Sequence, residues 1–390
     1  MDVLDCPLGT FELERVPVRP RQPLRAWDAA DEYLLEAFGT TPPADGASVA
    51  IVNDSFGALA VALRSHTPIL ITESAAGREA VQQNLARNDL GPLTPLSMLE
   101  LGALDRPIDV LIVKIPKSNA HLADLLGRIR PHLHPGSTII GAAMSKHVRT
   151  STIECFASMI GPTTTSLARK KARLVHATFD PDLTVEASWP VDWEYDGLTL
   201  VNHGGGFSPE SVDVGTRFLL DNLPPVADLL AHTGAPAQVV DLGCGNGIIG
   251  LRLARDLDTS GIDFQLHFVD DSALAIDAAA RSWEATRTTA VGGDEMRLHH
   301  CHRLVKAVAK NTADLVVVNP PFHDDRVIGD DTAWSMFTDA HSVLVGGGQI
   351  VVVGNRHLAY HAKLRKIFGE VDTIASSSKF VLLRARKRAK

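Results

Sequence analysis

Val239-Val240-Asp241-Leu242 is an apolar run broken by glycines at alternate positions, Gly243, Gly245 and Gly247, and a helical pattern of apolar residues follows at Ile248, Ile249, Leu251, Leu253 and Ala254. A strand, a tight turn and a helix in that order open a doubly wound α/β unit. Glycines let the backbone adopt φ > 0 and come close to a ligand. The dinucleotide fingerprint would place its third glycine at position 248, which is Ile248, so a nicotinamide oxidoreductase is disfavoured. Asp241, Gly243, Cys244, Gly245, Asn246 and Gly247 are candidate cofactor-binding residues, against the alternatives of another nucleotide loop or a turn with no ligand. A second strand, Phe264–Val269, ends at Asp270-Asp271. Asp270 is the first choice for accepting hydrogen bonds from ribose hydroxyls and Asp271 its rival, although Asp271 and Ser272 are also good helix N-caps.

Farther along, Asp314-Leu-Val-Val-Val318 runs into Asn319-Pro320-Pro321-Phe322. Two prolines cannot continue a buried strand, because neither has an N–H to donate. Each also holds the residue before it extended. The Asn319 side chain and the Pro320 carbonyl are thereby fixed as two acceptors at a strand end, with Pro321 stiffening the turn and Phe322 positioned to stack. That set suits a planar group bearing an NH₂; the plain alternative is an ordinary proline-rich loop. Between Asp241 and Asn319 there is room for a strand, a helix, a strand, a helix and a fourth strand. The motif then emerges beside the glycine loop, where open α/β sheets bind ligands.

The 390 residues suit two domains, and 45% hydrophobic with 22% charged residues is ordinary for a soluble globular chain. No apolar run reaches membrane-spanning length, and no secretory pattern follows Met1, so a cytoplasmic location is expected. Cys6, Cys155, Cys244 and Cys301 show neither metal-site spacing nor a disulfide framework, so no metal is expected. The net charge is −8, yet Asn355–Lys390 carries ten Lys/Arg against Glu370 and Asp372, a local surplus able to bind phosphate or merely to be solvated.

The first half echoes the second. Ser48–Ala60 repeats the strand–turn–helix form, with Asn53 read opposite Asp241 and Gly57 the surviving glycine. Asp109–Lys117 echoes Asp314–Phe322, with Lys114 for Asn319, Ile115 for Pro320 and Lys117 for Phe322. Residues 1–190 are therefore expected to form a degenerate copy that positions RNA through Lys114, Lys117, Arg128, Arg130, Lys146, Arg149 and the cluster Arg169–Lys171 with Arg173, the alternative being a structural partner whose lysines are only surface. Residues 191–390 are expected to form the active copy.

The glycine spacing resembles the first motif of the class I S-adenosylmethionine methyltransferases. The whole chain resembles the bacterial ribosomal RNA guanine-N2 methyltransferases. The large-subunit (23S) branch is suggested by Asn202-His-Gly-Gly-Gly-Phe-Ser-Pro with Asp213–Arg217, by Asn319–His323 with Ala333–Phe337, and by Asn355–Tyr360 with Lys363–Gly369. The resemblance implies two tandem Rossmann-like class I methyltransferase folds, S-adenosylmethionine as cofactor, 23S rRNA as partner (16S rRNA the alternative) and a monomer. It further implies that Phe207 and Ser208 line the cofactor and base pocket, that Asp213 and Gly215 shape the cofactor end, and that Cys301-His302 stands where the family has a polar pair near the adenine. The same amine-gripping motif occurs in enzymes methylating adenine N6 or a glutamine amide, so the motif by itself leaves the target open. A catalytically silent RNA chaperone is the reading of a different class.

Overall fold

The computed structural model describes residues 2–17, 24–186, 188–206, 211–230, 236–287, 296–321 and 326–389, with backbone only for 326–330. The chain divides into two compact units, Met1–Pro190 with His203–Gly205, and Val191–Asn202 with Gly206–Lys390.

In the first unit a hairpin of β1 (Asp2–Cys6) and β2 (Gly9–Leu13) leads to α1 (Ala29–Thr40). There follow β3 (Val49–Val52), α2 (Ala58–Ala62), β4 (Ile69–Ile71), α3 (Ala75–Arg87), β5 (Val110–Lys114) and α4 (Asn119–Ile129). β6 (Thr138–Met144), α5 (Thr150–Met159), β7 (Thr163–Thr165) and β8 (Ala172–Ala177) complete it. The sheet order is β4-β3-β5-β6-β8-β7, parallel through β6 and antiparallel beyond.

The second unit begins with the hairpin of β9 (Val191–Tyr195) and β10 (Leu198–Asn202), then α6 (Val214–Asn222) and α7 (Val226–Leu229). β11 (Ala237–Leu242), α8 (Ile248–Thr259), β12 (Phe264–Asp270), α9 (Ala273–Thr286), β13 (Met296–His300) and β14 (Ala313–Val318) form its first half. α10 (Arg326–Val343), β15 (Leu344–Asn355), α11 (Tyr360–Phe368), β16 (Val371–Ser376) and β17 (Phe380–Arg386) close it. The order β13-β12-β11-β14-β15-β17-β16 repeats the plan of the first unit with one extra edge strand. The expected tandem α/β architecture is what the structure has.

Parallel strands buried on both faces read as continuous apolar runs, and the residues still alternate between two layers. Val239, Leu315, Val317 and Val351 join one core with Phe268 and α8. Val240, Val316, Val318 and Ile350 join the other, against Phe337 and Tyr360.

Strand register corrects one sequence alignment. Val52 pairs with Val113 as Leu242 pairs with Val318, so Asn53 stands opposite Gly243 and not opposite Asp241. The amide of Asn53 donates to Ile71 O and that of Gly243 to Val269 O, the same bond in each unit. Asn53 has φ 62° and Gly243 φ 75°, so both turn through the left-handed region at this point.

Where α8 crosses the sheet, a Cβ on Gly250 would lie 2.3 Å from Phe268 Cε1 and 2.8 Å from Cζ. Phe268 is fully buried and cannot retreat. Gly250→Ala should therefore lower stability by about 1–2 kcal/mol despite alanine's better helix propensity, because overpacking outweighs the propensity gain. A chemical-denaturation midpoint at or above wild type would contradict this.

Candidate active site

The carboxyl ends of β11, β12 and β14 in the second unit surround a hollow of about 300 Å³. The glycine loop forms its floor. Gly243, Gly245 and Gly247 all have positive φ, at 75°, 54° and 83°, a path that side chains other than glycine's rarely follow. Asp270 braces this loop: its Oδ2 accepts from Gly245 N at 3.0 Å and its Oδ1 from Ser272 N at 2.9 Å. Each oxygen keeps a second lone pair, so the carboxylate can still accept from a ligand. Burial foremost pushes the Asp270 pKa up.

Of the residues singled out in the sequence, Asp213, Gly243, Cys244, Gly245, Asn246, Asp270, Asp271, Cys301, His302, Asn319, Pro320 and Pro321 line the hollow together. Asp241, Gly247 and Gly215 do not. Asp241 is wholly buried beneath the loop, where its Oδ2 accepts from Gly250 N at 2.8 Å. It holds the start of α8 in place and touches no ligand space. Gly247 is the N-cap of α8, and the Gly215 amide donates to Asp213 Oδ2 at 2.9 Å. Phe207, Ser208, Phe322 and His323 lie outside the described residues.

The lining also includes side chains that the sequence reading passed over: Trp193, Thr216, Ile248, Val269 and Met336 among them. Thr216 is the consequential one. Asn319 Nδ2 donates to Thr216 Oγ1 at 2.8 Å and reaches Asp213 Oδ2 at 3.4 Å. Asn319 Oδ1 is shielded from water and has no hydrogen-bond partner among the described residues. A buried acceptor left bare costs about 1–3 kcal/mol, a cost that an incoming N–H would remove. The only local sign of Thr216 is its place three residues after the N-cap Asp213, a spacing that capping alone explains.

Neither thiol here is favoured as a thiolate. Burial foremost holds Cys244 well above the ordinary thiol range, with Asp270 and Asp241 adding to it. Burial likewise raises Cys301, whose Sγ donates to Arg303 O at 3.4 Å. A bidentate pair from Arg303 to the buried Asp339, at 2.9 and 2.6 Å, anchors the turn that carries Cys301 and His302. Among the described residues no group of three or more His, Cys, Asp or Glu is placed to hold a metal ion, and no helix is long and apolar enough to cross a membrane.

The donor set fits S-adenosylmethionine. The left-handed loop would let backbone come close to the methionyl part, and the carboxylates of Asp270 and Asp271 at the end of β12 would suit ribose hydroxyls. Apolar Ile248, Val269 and Met336 offer surfaces for an adenine ring.

Comparison with known proteins covers both units. The RLMG N-terminal domain family matches residues 1–181, and the Methyltransferase small domain family matches residues 197–384. A Streptomyces griseus protein named ribosomal RNA large subunit methyltransferase G is 44% identical, over 97% of this chain and 98% of its own. Proteins of the same name from Aeromonas salmonicida and Pseudomonas putida are each 39% identical, over 100% and 99% of this chain and 99% and 100% of their own. A T. thermophilus 16S rRNA N2 methyltransferase, solved with AdoMet and guanosine, superposes with a TM-score of 0.73 at 21% identity, over 99% of this chain and 98% of its own. That likeness extends the class I methyltransferase fold across both units.

Asp241 supplies a test of the loop's foundation. Burial foremost raises its pKa from 3.8 to about 8, with Asp270 adding to the effect and the Gly250 N–H opposing it. The native state thus binds this proton more tightly than the unfolded chain does. Its contribution to stability is full below about pH 4 and is lost as pH rises through about 8. Asp241→Asn keeps an oxygen for Gly250 and removes the titration. Unfolding free energies measured from about pH 5 to about pH 9 should shift in favour of the variant as pH rises; parallel pH profiles would contradict the assignment.

Proposed function

The chain belongs to the ribosomal RNA large subunit methyltransferase G family, and we propose that it methylates the exocyclic N2 amine of a guanine in 23S rRNA, using S-adenosylmethionine. The observation carrying this reading is the bare, water-shielded Oδ1 of Asn319, held beside Pro320 at the wall of the glycine-loop hollow. An amine with two N–H bonds is the ligand that such an acceptor pair would bind.

The loop Gly243–Gly247 and the carboxylates of Asp270 and Asp271 would hold the cofactor, with Cys301 and His302 toward its base. When bound, S-adenosylmethionine supplies an electrophilic methyl on a sulfonium and a neutral thioether as leaving group. The protein's task is to aim a poor nucleophile, since the guanine amine's lone pair is delocalised into the ring. Asn319 Oδ1 and the Pro320 carbonyl take its two N–H bonds and draw the nitrogen toward a tetrahedral shape. Positioning and fixed dipoles supply the rate. No base has to act before the transfer, because the proton leaves once the nitrogen carries the new bond. The base has to be unstacked to reach the hollow. The first unit, as a copy without this loop and acceptor, is assigned to positioning RNA, and the protein to acting as a monomer in the cytoplasm without metal.

Purified protein, labelled S-adenosylmethionine and unmodified 23S or 16S rRNA in separate reactions, followed by nucleoside analysis, test the assignment. N2-methylguanosine from 23S rRNA alone is expected. Product from 16S rRNA alone would move the substrate, and a different methylated nucleoside would overturn the target amine. Asn319→Ala should cut turnover by about 10²–10³-fold while cofactor affinity stays near wild type; near-normal turnover would remove Asn319 from the mechanism.

A further inference from the structure

Both units tie the end of the strand beside the loop to the start of the helix that precedes the sheet, but with different chemistry. In the second unit Asp213 caps α6: its Oδ2 accepts from Gly215 N at 2.9 Å and from Thr216 N at 3.1 Å. The same oxygen and Thr216 Oγ1 face Asn319 Nδ2. In the first unit Asp28 caps α1, accepting from Ala30 N and Asp31 N. Asp28 Oδ1 and Asp31 Oδ1 lie 2.8 and 2.7 Å from Lys114 Nζ. The N-cap, the third helical residue and the strand-end residue correspond one to one: Asp28 with Asp213, Asp31 with Thr216, Lys114 with Asn319.

The outcomes differ because of what the gripped residue has left over. An ammonium has donors only, so Lys114 is consumed by its two carboxylates. Burial pulls the Lys114 pKa down, but Asp31 and Asp28 outweigh it and keep the amine charged. Asp54, at the position of Cys244, accepts from Gly57 N, Leu59 N and Ala60 N and fills the turn with its own carboxylate. An amide has a donor end and an acceptor end. A carboxylate accepts and cannot donate, so the amide end facing Asp213 has to be the NH₂, and the end left over has to be the oxygen.

We propose that Asp213 and Thr216 are positioning residues that fix the orientation of the Asn319 amide, so that the site presents an acceptor and selects an N–H-bearing target. This deepens the amine-methylation reading and rests on it. With the clamp intact, a ring nitrogen or carbonyl oxygen of the substrate would face an oxygen and be repelled. With the clamp cut, the amide can turn and present its NH₂.

Thr216→Val keeps the shape and removes Oγ1. Asp213→Asn keeps an N-cap of equal quality but offers the amide a donor. Both are read with Thr216→Ser, which retains the hydroxyl. Expected for Thr216→Val is a fall in kcat of about tenfold, with KM for RNA, cofactor affinity and melting midpoint near wild type, and with Thr216→Ser near the wild-type rate. Asp213→Asn should lose at least as much. Wild-type kcat in Thr216→Val and Asp213→Asn would overturn the clamp. A loss of kcat accompanied by equal losses of cofactor affinity and stability would also overturn it, since that is a structural tie and nothing more. If wild-type protein makes no N2-methylguanosine, the amine-methylation reading fails first; if it does and the variants match it, only the clamp fails.

A second, independent observation concerns the basic C-terminal segment. Arg365, Lys366, Lys387, Arg388 and His341 line a hollow of about 820 Å³ at the amino ends of β14 and β15. Six residues of strand separate that end from Asn319, roughly 20 Å at about 3.3 Å per residue. The segment is ordered: Lys387 exchanges backbone hydrogen bonds with Gly347 and Gly348, and its Nζ donates to Leu344 O at 2.7 Å and Asn311 Oδ1 at 2.8 Å. Arg365, Lys366 and Arg388 form no ion pair with a described residue. Glu370 follows Gly369 in the chain but is not part of the lining.

We infer that this hollow binds phosphate of the RNA substrate away from the reacting base. The combined variant Arg365→Gln, Lys366→Gln, Arg388→Gln should weaken rRNA binding. It should also lower the slope of log affinity against log salt by about 2–3, leaving turnover at saturating RNA and cofactor affinity unchanged. An unchanged slope would overturn the inference. Binding of inorganic phosphate to wild type but not to the variant, with no change in the RNA slope, would also overturn it and make the hollow a small-anion site.

Discussion

The parallel pairing of β11 with β14, Leu242 opposite Val318, is the constraint on which the site depends. It brings the residue after each strand to the same edge, so that Gly243 and Asn319 emerge side by side. Everything chemical is then a matter of what the two exits carry. In one unit the first exit is a glycine loop and the second an amide. In the other, the equivalent pairing of Val52 with Val113 delivers Asn53 and Lys114, and Asn53 Nδ2 closes onto Lys114 O at 3.3 Å. Among the described residues the second exit of the second unit carries a buried acceptor without a partner, Asn319 Oδ1, whereas the Lys114 ammonium at the same place in the first unit has donors only.

The comparison of the units also explains why the first tolerates its losses. Of the three glycines the first unit keeps one, and there Asp54 supplies acceptors to the start of α2 from within the turn. In the second unit that duty falls to Asp241, below the loop, which leaves the space above it clear. The position of one capping carboxylate therefore separates a turn that is plugged from one that is open.

Much of this was legible in the sequence. The apolar runs Val239–Leu242 and Asp314–Val318, the glycine spacing and the double proline defined two strands, their order and the end at which they meet. The echo between halves was visible in the residues of Ser48–Ala60 and Asp109–Lys117. What was not legible has physical causes. Asp241 precedes the loop whether it grips a ligand or a helix amide, and only its burial decides. Asn53 is chemically akin to Asp241, whereas strand register places it two residues further on, opposite Gly243. Thr216 lies 103 residues from Asn319, and no local pattern announces a hydrogen bond of that range. The ordering of Lys387 depends on backbone partners in β15, which charge counting along the tail does not reveal.

In the proposed reaction the Asn319 oxygen is the atom offered to the target amine. A neutron structure of the protein with S-adenosylhomocysteine and guanosine would locate the amide hydrogens directly. Both Asn319 amide hydrogens are expected to be directed at Thr216 and Asp213, and Oδ1 to lie about 3 Å from the guanine exocyclic nitrogen. An Asn319 NH₂ facing the base, or an exocyclic amine bonded elsewhere, would contradict it.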